Sequence, residues 1–162
     1  MILDRWILVG IISTSTIIIL RMVPKKKARE AWVLFLSMGM ITWPAGLLAV
    51  EMGWIKYPVQ LLAKANDYNK ASFTYEFFLF PMTSVVFSLY YSKVVSKIGQ
   101  FLYFFLFASI FTILEVILEK TTRLVEYDEW KWYWTLITLI ITLFLNHKYY
   151  EWFKKRLTVV SS

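Results

Sequence analysis

The sequence predicts an all-α fold, an integral membrane bundle of five transmembrane helices, and three observations carry that expectation. Of 162 residues, 59% are hydrophobic and 19% aromatic, above the roughly 45–50% apolar share of a soluble domain, and a core of this size has no room for the excess. The apolar residues also gather into five runs near the length of a bilayer crossing, about 20 residues for a hydrocarbon layer of roughly 30 Å. Finally, runs such as IIIL at 17–20 and FLYFFLF at 101–107 lack the period-2 alternation of a barrel strand. Mean hydropathy is +0.56.

The predicted spans are Leu3–Val23, Ala31–Trp54, Phe73–Tyr91, Phe101–Leu118 and Trp130–Leu145. They form one transmembrane domain over residues 1–162, without repeat or low-complexity linker. Asp4 and Arg5 trim the first span, and Ser13–Thr16 within it are suited to hydrogen bonds between helices. Its apolar run is long for a signal-peptide h-region and no A-x-A site follows, so this helix is expected to stay in the mature protein. The second span carries Gly39, Gly46 and Gly53 at seven-residue spacing, beside Ala45 and Ala49. Small residues on one stripe let backbones approach closely, which makes these three glycines a predicted packing seam. Pro44 and Pro81 lie inside spans, where each removes a backbone donor and is expected to kink its helix.

The longest connection is 55–72, IKYPVQLLAKANDYNKAS. Pro58 is placed to open a short amphipathic helix over 58–66, lying on the outer surface; the alternative is a polar loop. Thr135, Thr138, Thr142 and Asn146 follow one face of the last span and suit packing or a polar path. His147 and Glu151 stand four apart at its inner end, where they can pair, although a histidine at an interface is ordinarily solvated.

Trp6, Trp32, Trp54, Trp130, Trp132 and Trp152 sit near predicted span ends, as do Tyr57, Tyr90, Tyr91, Tyr149 and Tyr150. That is the pattern of an interfacial aromatic belt. Orientation follows from the basic residues: eleven, including the PKKKARE loop at 24–30, fall on one side and seven on the other. The richer side should be cytoplasmic, putting the N-terminus outside and the C-terminus inside. The net charge of +7 lies in patches that border spans, which suits a lipid bilayer and not nucleic acid. The tail KYYEWFKKR has the basic and aromatic character of an anchor to anionic lipid. With no cysteine and one histidine, disulfides, thiolate metal sites, iron–sulfur clusters and bis-histidine haem are excluded. No metal and no other cofactor is expected.

Ionisable residues inside a span cost about 2.5–3.5 kcal/mol on insertion scales and are functional candidates by default. Glu76 lies three residues into the third span and Glu115 three residues before the outer end of the fourth. Antiparallel geometry puts both at one depth, about 5 Å below the outer interface. Glu51 ends the second span on the same side, and Glu119 is one turn beyond Glu115. Nine of the eleven acids fall on the outer half. Glu51, Glu76, Glu115 and Glu119 are therefore candidates for proton or ion binding. Equally, Lys56, Lys64 and Lys70, and above all Lys120 and Arg123, can pair with them in a structural network. No nucleophile or metal set is spaced for catalysis.

Three stretches, YPVQLLAKA at 57–65, SFTYEFFLFP at 72–81 and LEVILEKTTRLVEYDEWKWYWT at 114–135, resemble a family of small five-helix membrane proteins of endospore-forming Firmicutes, itself uncharacterised. Glu115, Lys120 and Tyr127 match that family's pattern. Its pair of Trp three apart is replaced here by Trp130, Trp132 and Trp134 in alternation. The resemblance implies a topology and a bacterial cytoplasmic membrane, the spore inner membrane included, but no reaction. The leading expectation is a non-enzymatic membrane protein, a homo-oligomer or a subunit with other membrane proteins, whose outer carboxylates are structural or ion-responsive. The alternatives are a proton- or cation-coupled transporter or channel built from several copies, and a lipid-acting enzyme with 55–72 as a lid.

Overall fold

The computed structural model describes residues 2–62, 70–91 and 96–160. Its helices are α1 (Ile2–Met22), α2 (Ala28–Glu51), α3 (Phe80–Tyr91), α4 (Lys97–Thr121) and α5 (Trp132–Val160). A single 3-10 turn, Lys25–Lys27, leads into α2, and a π-helix, Phe73–Leu79, leads into α3. Two short strands, β1 (Ile55–Lys56) and β2 (Glu126–Tyr127), pair antiparallel, Ile55 opposite Tyr127 and Lys56 opposite Glu126. The fold is all-helical apart from this ladder. Among the described residues, three segments are long and apolar enough to cross a membrane: Ile2–Met22, Lys25–Glu51 and Lys97–Thr121.

The helix ends follow local chemistry. Ser96 caps α4 by accepting from the Gly99 amide at 2.9 Å, so the helix starts four residues before the apolar run. α5 runs well past Leu145 to Val160, because the chain has no glycine or proline after residue 131 to stop it. The predicted basic tail is thus the end of α5. Of the candidate surface helix at 58–66, residues 58–62 are bends and a turn, and residues 63–66 lie outside the described residues.

α2 stops at Gly53, and here the expected glycine stripe is corrected. Trp54 N donates to Ala49 O at 2.9 Å and Gly53 N to Val50 O at 3.0 Å, the two bonds of a Schellman cap. Gly53 has φ 73°, the left-handed region that glycine enters without a steric penalty. It meets no neighbour within 4 Å, so it is a turn residue and not part of a packing seam. Gly39 and Gly46 do face the third span.

Across the bundle each helix pair is tied by few polar bonds. Asn146 of α5 is wholly buried; its amide donates to Leu34 O at 3.1 Å and Ser84 Oγ at 2.5 Å, and its carbonyl accepts from Ser37 Oγ at 2.6 Å. One side chain therefore joins α2, α3 and α5. Tyr90 donates to Met22 O at 3.1 Å, tying α3 to α1. Where α2 and α4 end, the connections supply their own core, in which Ile55, Tyr57, Val59, Leu124 and Val125 pack on Leu8 and Ala49.

These contacts predict opposite outcomes for two glycines. Gly53→Ala should lower the midpoint of thermal unfolding in detergent, at a cost of about 1 kcal/mol for a non-glycine residue at positive φ. Gly39→Ala should leave the midpoint unchanged or raise it, since its Cβ would rest 3.7 Å from Pro81 Cγ, an ordinary contact.

Candidate functional site

Glu76 enters the bundle on the π-helix, and the sequence around it accounts for the irregular turn. Pro81 has no N–H, and its ring would clash with the carbonyl four residues back in an ordinary α-helix. Phe80 N instead donates to Tyr75 O, five residues back. Glu76 O is left without a backbone donor, since the amide five residues on belongs to Pro81. Thr42 of α2 fills that place, its hydroxyl lying 2.6 Å from Glu76 O and 3.1 Å from Met38 O. Such π-turns often occur at functional sites.

The side chain of Glu76, 6% exposed, fits into α2 at Gly46. A Cβ at residue 46 would lie 2.5 Å from Glu76 Cδ and 2.7 Å from Oε1, closer than real atoms approach. Tyr57, just after β1 and 9% exposed, donates from its hydroxyl to Glu76 Oε1 at 3.0 Å. Glu115 of α4 is built the same way from the other connection. Its Oε1 accepts from Tyr127 Oη at 2.5 Å and from Thr135 Oγ1 at 2.8 Å. Thr135 in turn accepts from Trp130 Nε1 at 2.7 Å. The ladder positions both tyrosines: Trp54 O accepts from Asp128 N at 3.1 Å and Trp130 N at 3.0 Å, and Val59 N donates to Arg123 O at 3.2 Å.

Both residues line one cavity of about 90 Å³, which Tyr57 and Trp130 also wall and which follows α5 past Thr138 to Thr142. The two acids are near enough to interact electrostatically. Burial first, then the charges of Glu76 and Glu115, raise the pKa of Tyr57 well above its usual value. Burial first and then Glu115 likewise raise that of Tyr127. Both phenols are thereby held as O–H donors.

The other candidates stand apart. Glu51 is exposed and Glu119 half-buried, so the cavity has two acids and not four. Lys120 and Arg123 are exposed, and among the described residues neither forms an ion pair; Arg123 contributes its backbone carbonyl instead. The ion pair described on this side joins Lys56 to Asp128 at the ladder, both in solvent, where such pairs contribute little. Among the described residues no three His, Cys, Asp or Glu side chains converge for a metal.

Several belt assignments also change. Tyr57 and Tyr150 are buried, Tyr150 donating to Glu30, because each has an acid within reach inside the bundle. His147 is 3% exposed and packed on Tyr91, ring centroids 4.4 Å apart, not solvated. The sequence signal for the π-turn was Pro81, five residues beyond Glu76. Nothing in the sequence marked Thr42. Comparison with protein-family models, curated proteins and solved structures gives no match.

Two experiments test this geometry. Gly46→Ala should destabilise the protein by about 1–3 kcal/mol, as overpacking does; Glu76→Ala should relieve part of that loss, and the double-mutant coupling energy measures the contact. Stability should also fall above about pH 10, where tyrosines ionise in the unfolded chain while Tyr57 and Tyr127 keep their protons in the fold. Tyr57→Phe should flatten that alkaline decline, followed by thermal unfolding against pH.

Proposed function

We propose that this chain is a non-enzymatic multi-pass protein of a bacterial cytoplasmic membrane, with an outer-leaflet site that binds a proton shared by Glu76 and Glu115. The observation that carries the proposal is the set of partners these acids have: every hydrogen bond described for either carboxylate comes from a hydroxyl, of Tyr57, Tyr127 or Thr135. Unpaired charge is costly at this depth, and a shared proton leaves the pair one charge fewer. Two acids with neutral hydroxyls suit a proton better than a calcium ion, which takes about 6–8 oxygen ligands.

The five-helix count and the weight of basic residues around Lys25–Lys27 and on the end of α5 favour five spans, with the N-terminus outside and the C-terminus in the cytoplasm. Only 11% of the apolar window of α1 and 17% of that of α4 is buried within one copy, which favours assembly with further copies or other membrane subunits. The resemblance to proteins of endospore-forming Firmicutes favours a role tied to sporulation.

Infrared spectroscopy of the protein in nanodiscs tests the site. A protonated-carboxyl stretching band is expected near neutral pH, and Glu76→Gln or Glu115→Gln should remove or shift it. A spectrum with both acids ionised across that range would reject proton sharing. Loss of the band on adding calcium or magnesium would assign the site to a cation instead.

A further inference from the structure

The cavity below the two acids has Thr142 as its last lining residue on α5, short of Asn146. From Thr135 to Thr142 it follows α5 inward for about 10 Å at 1.5 Å per residue. One turn deeper stands Asn146. Its amide and carbonyl are engaged by Leu34, Ser37 and Ser84, so it fills the seam where α2, α3 and α5 meet and has no N–H left for a relay.

Immediately inward of that plug, the hydrogen-bonding groups are left open. Ser88, one turn along α3 from Ser84, is 0% exposed, and its Oγ has no hydrogen-bond partner among the described residues. The same holds for Nδ1 of His147, which follows Asn146 on α5. Buried polar atoms without partners are rare and ordinarily mark internal water. His147 Nε2 lies 3.6 Å from Glu151 Oε1, beyond a direct hydrogen bond and within reach of a bridging water. Glu151 in turn pairs with Lys148 at 2.8 Å. The other titratable groups facing this region are Tyr91, packed on the His147 ring, Tyr150, bonded to Glu30, and Lys154 and Lys155, which line a pocket together with His147 and Glu151. From Thr135 to Glu151 the polar groups extend about 24 Å along α5, most of the roughly 30 Å hydrocarbon thickness.

We infer that the seam where α2, α3 and α5 meet is a proton path, connecting the outer carboxyl pair with His147 and Glu151 and held shut at Asn146. It rests on the proton-binding role proposed above for Glu76 and Glu115. Hydroxyls, water and imidazole can each accept and release a proton in turn, whereas an asparagine amide blocks both the relay and the water that would carry it. Nothing is consumed: a proton taken up on one side is released on the other.

The test is proton flux in liposomes carrying the full chain, a trapped pH dye and a potassium-diffusion potential. The parent protein should match protein-free liposomes. Asn146→Ala should raise flux about tenfold or more, a barrier lowered by roughly 1.4 kcal/mol. Adding Glu76→Gln with Glu115→Gln, or His147→Leu, should return it to baseline. Ser84→Ala loosens the plug without truncating α5 and should give a smaller rise, which keeps the test decisive if Asn146→Ala does not fold. Baseline flux in a folded, monodisperse Ser84→Ala protein and in any folded Asn146→Ala protein would overturn the path. So would flux that survives both sets of added substitutions. With the infrared band present, baseline flux removes the path and leaves the site; a missing band removes the site whatever the flux.

Discussion

Glu76 can stand inside the bundle because residue 46 has no side chain. The space a Cβ would need is occupied by the Glu76 carboxyl, and that single accommodation sets how closely α2 approaches the third span. The same residue is fixed at its backbone by a second consequence of sequence. Pro81 deprives Glu76 O of a donor, and Thr42, one turn before Gly46 on α2, supplies it. Carboxyl and carbonyl of one glutamate are thus both seated on one face of α2. In lipid, where apolar surface does little to draw helices together, close approach and interhelical hydrogen bonds are what hold a pair.

The connections that carry β1 and β2 complete what the helices begin. A ladder of only two residues on each side would be negligible alone, yet here it is backed by a small apolar core of Ile55, Val59, Leu124 and Val125. Its effect is to bring two tyrosines from separate connections onto two acids of separate helices. Because both phenols keep their protons, the cap offers the acids donors without adding charge. An arginine in the same place would fix both acids as permanent anions; hydroxyls leave their protonation free to change.

Much of this was legible in the sequence, for reasons of scale. Apolar runs near bilayer length located five helices, and counting residues along antiparallel elements brought Glu76 and Glu115 together, as the cavity they both line does. Other features were not legible because they depend on contacts between distant segments. Lys120 and Arg123 have the right charge and nearly the right position, but the fold turns them to solvent and gives the acids hydroxyls. Tyr57 and Tyr150 resemble belt residues from their place near span ends, and only the packing shows that each has an acid to bond. Gly53 keeps the seven-residue spacing of Gly39 and Gly46, yet spacing has meaning only while the helix lasts, and α2 has already ended. His147 reads as interfacial because the apolar run stops before it, although α5 itself continues for several turns.

Within the bundle, polar ties between helices run among the apolar clusters. Asn146 ties α5 to α2 and α3, Thr42 ties α2 to the π-turn, and Thr135 ties α5 to α4, while the flanking helices α1 and α4 turn most of their apolar surface outward. The groups that hold the helices together are therefore the same groups that line the interior. Each was retained despite the cost of a polar atom in hydrocarbon, and each repays that cost by meeting a partner from another helix. That rule fails at Tyr75, beside Glu76, and at Ser88 and His147, which follow Asn146 along the bundle.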